Sequence, residues 1–164
     1  MMFSLKTQSN SDACESGCCT PQPKAHALCP KCGKKAKEVL SITLEHLLNV
    51  HSKEKLSSLE GFHYCKTASC EVIYFSDETV LTQDDVSVVV GLKEGATPAT
   101  VCYCFAWTKE KIASELKATG STTALDDIKV KMENPGCSCE TLNPSGKCCL
   151  GDVTKMIKAL EANY

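Results

Sequence analysis

The chain has 164 residues, a formal net charge of −2 at pH 7 and an apolar fraction of 43%. This length suits one ordinary domain or two small ones. The charge gives no sign of a basic surface of the kind that follows nucleic-acid phosphates, so nucleic acid is not the expected partner. Cysteine is the outlier, with 13 residues, a content close to that of cysteine scaffolds. Because the number is odd, complete internal disulfide pairing is excluded.

The N-terminal segment, residues 1–24, contains no apolar stretch typical of a secretory signal. No run in the chain approaches the ~18 apolar residues of a membrane span. We therefore expect a cytoplasmic protein whose reduced cysteines bind metal. The segment is polar and is predicted to be a flexible tail. Its three cysteines are a candidate soft-metal site, since thiolates suit Cu(I); incidental thiols are the equal alternative. They are Cys14, Cys18 and Cys19.

Residues 25–95 are predicted to form a small α/β zinc-binding module. The stretch "SITLEHLL" indicates a short helix that begins near Ser41 or Thr43. Residues 60–93 indicate several short strands, because they are rich in β-branched and aromatic residues between turn signals. The run Ser87–Leu92 ("SVVVGL") is one of these predicted strands.

Two cysteine pairs in this module predict a zinc site. "CPKCG" carries Cys29 and Cys32, and "CKTASC" carries Cys65 and Cys70. Two short cysteine loops supply the four thiolates of a closed, structural zinc site without an open coordination position. His63 is the rival ligand, because in a strand it lies on the same face as Cys65. Four buried, unligated thiols are the alternative without metal.

Residues 99–164 are predicted to form a small helical module, after a linker at residues 93–100. "TKEKIASELKATG" indicates a helix with Thr108 as N-cap and Gly120 as its stop. The next helix is predicted to begin at a capping pattern of Thr123 with Asp126. The last one carries an apolar stripe in "LGDVTKMIKALEANY".

A second cysteine constellation lies in this helical part. In an extended "VCYCFAW", Cys102 and Cys104 point to the same side. Their C-x-C spacing is unfavourable for a zinc loop, which prefers at least two residues between ligands, and favours a [2Fe–2S] cluster held by four thiolates. The other two ligands come from "CSCETLNPSGKCC". The spacing leaves the choice open between Cys137 and Cys139, and between Cys148 and Cys149. Unligated buried thiols are again the alternative.

"CYCF" followed by "CSCETLNPSGKCCLGDV" resembles the bacterioferritin-associated-ferredoxin-like [2Fe–2S] domain, above all the version in CopZ-type copper chaperones. "CPKCG" and "YCKTASCEVIYF" resemble the zinc-binding module that precedes it there. The resemblance covers roughly residues 27–162. It implies an α+β fold, zinc at the four cysteines named above, and a redox-active [2Fe–2S] cluster. The implied cluster ligands are Cys102, Cys104, Cys139 and Cys149.

In that family the cluster is linked to copper handling, and the implied step is reduction of Cu(II) to Cu(I). The resemblance therefore implies metal trafficking or electron transfer rather than enzyme catalysis, with a separate copper domain or a copper-transporting ATPase as partner. The complete chaperone also has a copper domain with an M-x-C-x-x-C loop, which these 164 residues lack. A ferredoxin-like electron-transfer protein without a copper role is therefore one alternative. A non-redox scaffold with two zinc ions is the other.

Overall fold

The computed structural model describes residues 27–163. The three tail cysteines, and the candidate soft-metal site that they form, lie outside these residues. The first part of the described chain is a five-stranded antiparallel sheet whose strands lie in chain order. The strands are short because turns and cysteine loops interrupt them: β1 Ala27–Leu28, β2 Lys35–Glu38, β3 His63–Tyr64, β4 Tyr74–Phe75 and β5 Val80–Leu81.

Two short helices connect β2 to β3. The predicted helix is present as α1, Ser41–Leu47, and a second helix, α2, follows at Val50–Glu54. The N-cap of α2 is Asn49, whose side chain accepts a hydrogen bond from the Ser52 N–H. The helices cover an apolar core of ten buried residues. Among them, Leu44 and Tyr74 have no exposed surface, so this part of the chain has a core of its own in addition to the cysteine site.

The predicted strand at Ser87–Leu92 is wrong. A 3-10 turn at Gln83–Asp85 precedes it, and only Val86 forms an isolated bridge, to Leu48. The Gln83 side chain instead accepts a hydrogen bond from Val90 N–H and donates one to Val88 O. These side-chain bonds satisfy backbone groups that a strand would have paired with a neighbour.

The second part of the chain is mainly helical and begins with a two-stranded hairpin. The hairpin consists of β6, Thr100–Cys102, and β7, Trp107–Thr108. Four helices follow, and α3, α4 and α6 enclose a core in which Trp107, Ile112 and Ile128 are almost fully buried. The helices are α3 Lys109–Thr119, α4 Ala124–Glu133, α5 Cys139–Leu142 and α6 Leu150–Glu161.

The predicted ends of α3 are confirmed, whereas the predicted cap of α4 is wrong. Thr108 accepts the Lys111 N–H, and Gly120 ends α3 in the left-handed conformation. At α4 the Thr123 side chain makes no cap. The carboxylate of Glu115 in α3 accepts hydrogen bonds from Thr123 N–H and from the Thr122 hydroxyl instead. A tertiary contact therefore replaces the local capping box.

Polar contacts join the two parts. The Tyr74 hydroxyl donates to Pro144 O at 2.6 Å, and the Thr43 hydroxyl donates to Glu140 O at 2.7 Å. The predicted linker is closely packed at its borders, since a Cβ added to Gly91 would lie 2.1 Å from Thr100 O.

The observed architecture is a mixed helix and sheet fold. Among the helices in residues 27–163, none combines the length and apolar character that crossing a bilayer requires.

Candidate metal centres

The first cysteine set converges on one point between two loops. The β1–β2 turn carries Cys29 and Cys32, and the β3–β4 connection carries Cys65 and Cys70. Their four sulfur atoms all lie within 4.8 Å of one another. The Cys29–Cys70 and Cys32–Cys65 sulfur distances are 3.9 and 3.7 Å. Gly33, with φ of +67°, allows the first loop to close, and its N–H donates to Cys29 O.

This tetrad fits zinc. A tetrahedral ion with Zn–S bonds of about 2.3 Å holds its sulfur atoms roughly 3.8 Å apart, which matches both measured distances. Three of the four cysteines are buried, and four protein thiolates leave no position for a substrate or water. The chemistry of such a site is structural.

Hydrogen-bond donors surround these sulfur atoms. The Thr67 hydroxyl, 3.3 Å from Cys32 Sγ, and then the Lys34 N–H lower the pKa of the Cys32 thiol to about 6. Burial raises the pKa of Cys65 to about 12, although the Thr67 N–H and the positive charge of Lys93 oppose it. Donors that favour thiolates prepare the site for a cation, because zinc binds the deprotonated sulfur.

Lys93 supports the zinc site from outside the cysteine motifs. Its ammonium group donates to three backbone carbonyls of the second cysteine loop and its continuation: Cys65 O at 2.8 Å, Thr67 O at 2.9 Å and Val72 O at 2.7 Å. Burial lowers the pKa of Lys93, whereas the nearby thiolates raise it. Sequence reasoning missed this residue, because a lysine 23 positions after Cys70 carries no spacing signal.

His63 is not one of the grouped ligands. Its ring stacks on Phe75, with centroids 5.6 Å apart, and the metal-binding group of the described residues consists of the four cysteines without it. The strand β3 ends at Tyr64, and the His63 ring packs on Phe75 instead of joining the sulfur atoms.

The second set forms two sulfur pairs and not one tetrad. Cys104 Sγ lies 3.7 Å from Cys139 Sγ, and the Cys102 and Cys149 thiols are close enough for each to shift the pKa of the other. In residues 27–163, the zinc tetrad alone has three or more candidate ligand atoms mutually within 4.8 Å. The four sulfur atoms of the second set are therefore more widely spread than a single ion requires.

The C-x-C segment differs from the predicted extended strand. β6 ends at Cys102, and Tyr103–Ala106 form a turn. This turn directs the N–H groups of Cys104 and Phe105 toward Cys102 Sγ. The turn therefore supplies backbone N–H donors to the Cys102 thiol. A regular extended strand would place Cys102 and Cys104 on one side but would not direct these N–H groups to the sulfur atom.

Backbone N–H groups also reach the other sulfur atoms. Ser138 N–H donates to Cys104 Sγ at 3.3 Å, and Cys149 N–H donates to Cys139 Sγ. The Cys149 thiol donates to Cys102 and lowers the Cys102 pKa to about 7, while that same bond and burial raise the pKa of Cys149. Such N–H···S bonds are among the interactions that adjust the potential of iron–sulfur centres.

Burial separates the cysteines that spacing left equivalent. Cys139 and Cys149 are 8% and 2% exposed, whereas Cys137 and Cys148 are exposed on the surface. The buried members occupy the first position of α5 and the N-cap of α6. The exposed pair borders a surface concavity of about 660 Å³ and takes part in neither sulfur pair.

Comparison with known proteins agrees with the zinc-binding part. Residues 26–87 match the family model zf_CopZ, described as a zinc binding domain. The chain is 34% identical over 123 residues to the copper chaperone CopZ of Archaeoglobus fulgidus, a match that covers 74% of this chain and 57% of that protein. The chain thus spans little more than half the length of this curated relative.

A solved structure extends the likeness. The fold is similar to the X-ray structure of the Archaeoglobus fulgidus CopZ N-terminal domain, with a TM-score of 0.66 and 28% identity over 79% of this chain and 97% of that one. Together with the sulfur tetrad, these matches show that the N-terminal part of the chain is CopZ-like and carries a zinc-binding domain.

Proposed function

We propose that the chain is a redox-active metal-handling protein with a structural zinc ion and a [2Fe–2S] cluster, acting in copper trafficking or in the reduction of Cu(II) to Cu(I). Zinc belongs to the module at residues 25–95 and the cluster to the helical module at residues 99–164. The zinc ligands are Cys29, Cys32, Cys65 and Cys70. The cluster ligands are Cys102, Cys104, Cys139 and Cys149.

The division of the second sulfur set into two pairs carries this proposal. A [2Fe–2S] cluster takes four thiolates, two on each iron, so its ligands occur as two close pairs. The Cys104–Cys139 distance of 3.7 Å and the Cys102–Cys149 contact follow that pattern. A second mononuclear zinc would instead favour four equally close sulfur atoms.

The protein's own residues give this site its properties. A bound cluster supplies one-electron chemistry. Burial of Cys102 and Cys149 keeps water from these two thiolates. The Phe105 N–H stabilises the negative charge of Cys102, and the Ser138 N–H stabilises that of Cys104. Hydrogen bonds to cluster sulfurs raise the reduction potential by stabilising the more negative, reduced state.

The copper role rests on similarity to a protein named as a copper chaperone, of which this chain spans 57%. The proposed partner is accordingly a copper-carrying protein, such as a separate copper domain or a copper-transporting ATPase, and the proposed compartment is the cytoplasm. Cys14, Cys18 and Cys19 remain a candidate Cu(I) site, because soft thiolates suit that ion.

Metal and sulfide analysis of anaerobically isolated protein tests the cluster. We expect a brown protein with two irons and two inorganic sulfides per chain, as the cluster formula requires, and loss of colour on reduction with dithionite. A colourless protein with full zinc occupancy and no iron would refute the cluster.

Matched serine variants test the ligands. Cys139→Ser and Cys149→Ser should remove or strongly alter the visible spectrum, because both residues belong to sulfur pairs. Cys137→Ser and Cys148→Ser are the controls and should keep the spectrum, since both side chains are exposed. The reverse pattern would contradict the assignment.

A ferredoxin-like electron-transfer protein without a copper role is the second candidate. The same two sulfur pairs support it, since a [2Fe–2S] cluster carries one electron without copper. Titration with Cu(I) against a competing chelator separates the two functions. Retention of copper, or reduction of Cu(II) by the dithionite-reduced protein, supports the copper role. Loss of all copper to the chelator, with no reduction, supports the electron-transfer role.

A further inference from the structure

A groove between β2 and the start of α6 is lined by positively charged side chains. We propose that it is the docking surface for an acidic protein that exchanges electrons with the cluster, an inference that rests on the proposed function. The groove has a volume of about 280 Å³. Five of the chain's 18 basic residues line it: Lys35, Lys37, Lys66, Lys147 and Lys155.

The charge is concentrated by the fold and is not a property of the whole chain, whose net charge is −2. The lysines come from β2, the β3–β4 connection, the loop before α6 and α6 itself. Asp152 is the carboxylate of this lining, and it pairs with Lys66 at 2.5 Å. The other four lysines, all exposed, take part in none of the ion pairs found in residues 27–163. The groove therefore keeps a net positive charge at neutral pH.

The groove borders the proposed cluster site. Cys148 and Gly151 line it, and between them in the sequence lies Cys149, a buried proposed ligand and the N-cap of α6. The N-terminal end of this 12-residue helix adds a partial positive charge in the same direction. A partner held in the groove would meet the protein beside a ligand of the redox centre.

An acidic protein suits this surface better than nucleic acid or a membrane. The lysines border a short groove and not a long stripe, and its aromatic residue, Tyr64, is buried and offers no stacking surface. Electrostatic attraction between a positive and a negative patch accelerates encounter and orients the partners. The reaction is a transfer of one electron: the reduced partner loses it, the oxidised cluster gains it, and no bond forms or breaks.

A charge-reversal variant with a matched control tests the docking surface. The groove variant combines Lys35→Glu, Lys37→Glu and Lys155→Glu. The control combines Lys55→Glu, Lys117→Glu and Lys129→Glu, which change the net charge equally at exposed positions outside the groove. The Lys66 ion pair is left intact in both. All variants are made in the full chain, and the visible spectrum reports cluster content separately.

Binding of a fluorescent polyglutamate peptide, measured by anisotropy at low ionic strength, is the first readout. We expect the groove variant to lose at least about tenfold in affinity and the control to lose much less, because only local charge reaches the peptide. Equal losses in both variants would overturn the inference. Binding of duplex DNA or anionic phospholipid vesicles through the same lysines, with no binding of the peptide, would also overturn it. The peptide can bind whether or not the protein holds a cluster. A colourless protein would therefore refute the proposed function, whereas peptide binding decides the docking surface separately.

Oxidation of the dithionite-reduced protein by small inorganic complexes is the second readout. Hexacyanoferrate(III) is an anion and hexaamminecobalt(III) is a cation, and each accepts one electron from the cluster. In the groove variant we expect the rate with the anion to fall and the rate with the cation to rise, on the order of tenfold each. If groove and control variants change alike, the groove does not govern access to the cluster and the inference fails.

Discussion

Lys93 supports the zinc site from outside the cysteine motifs, and its substitution tests that support. Its ammonium group makes three hydrogen bonds of 2.7–2.9 Å to backbone carbonyls of the loop that carries Cys65 and Cys70. A hydrogen bond to a charged group contributes about 1.5–3 kcal/mol. Because the Lys93 side chain is half-buried, water can bond to some of these carbonyls when the lysine is replaced. We expect Lys93→Met to lower the free energy of unfolding by about 3 kcal/mol.

The same substitution also removes a positive charge beside four thiolates, whose complex with zinc carries a net negative charge. Loss of such an outer partner lowers metal affinity about 10–100-fold. Urea unfolding of the zinc-loaded protein and competition with a zinc chelator measure the two effects. Lys109→Met, at an exposed position, is the matched control. If Lys93→Met and the control have the same free energy of unfolding and the same zinc affinity, the three hydrogen bonds contribute nothing and the reasoning is refuted.

Three further predictions concern the contacts between elements. Tyr74→Phe removes the hydroxyl that donates to Pro144 O and should lower the free energy of unfolding by about 1–3 kcal/mol, since it leaves a buried carbonyl unpaired; an unchanged urea midpoint would contradict this. Gly91→Ala should prevent or severely weaken folding, because its Cβ would lie 2.1 Å from a backbone oxygen. Gly151→Ala, with open space around it, should raise the thermal midpoint slightly. Hydrogen bonds, first that of the Thr122 hydroxyl, lower the pKa of Glu115. Wild type should therefore exceed Glu115→Gln in stability at neutral pH, and the difference should disappear as pH falls through that lowered pKa; a difference that persists in acid would refute the ionic cap.

Local signals in the sequence predicted much of the helical part. Thr108 and Gly120 bound α3 as expected, because an N-cap hydroxyl and a left-handed glycine act within a few residues. Local signals failed where a distant residue intervened. The Thr123 side chain does not cap α4, and both its hydroxyl and its N–H donate to Glu115 instead. The β-branched run at residues 87–92 is no strand because the Gln83 side chain bonds its backbone.

The zinc site followed from cysteine spacing, because a short loop determines whether two sulfur atoms can reach one ion. "CPKCG" and "CKTASC" were enough to predict the tetrad, and their sulfur atoms lie within 4.8 Å of one another. The same spacing in "CSCETLNPSGKCC" did not distinguish Cys139 from Cys137 or Cys149 from Cys148, since each pair is equally placed along the chain.

The tertiary structure distinguishes these cysteines by burial, which spacing does not show. Packing of α5 and α6 buries Cys139 and Cys149 and leaves their neighbours exposed. It also brings Lys93 to the zinc loop and five lysines from distant elements into one groove. Sequence determines which ligands and charges are available, but burial and long-range contact determine which of them meet, because both depend on segments far apart in the chain.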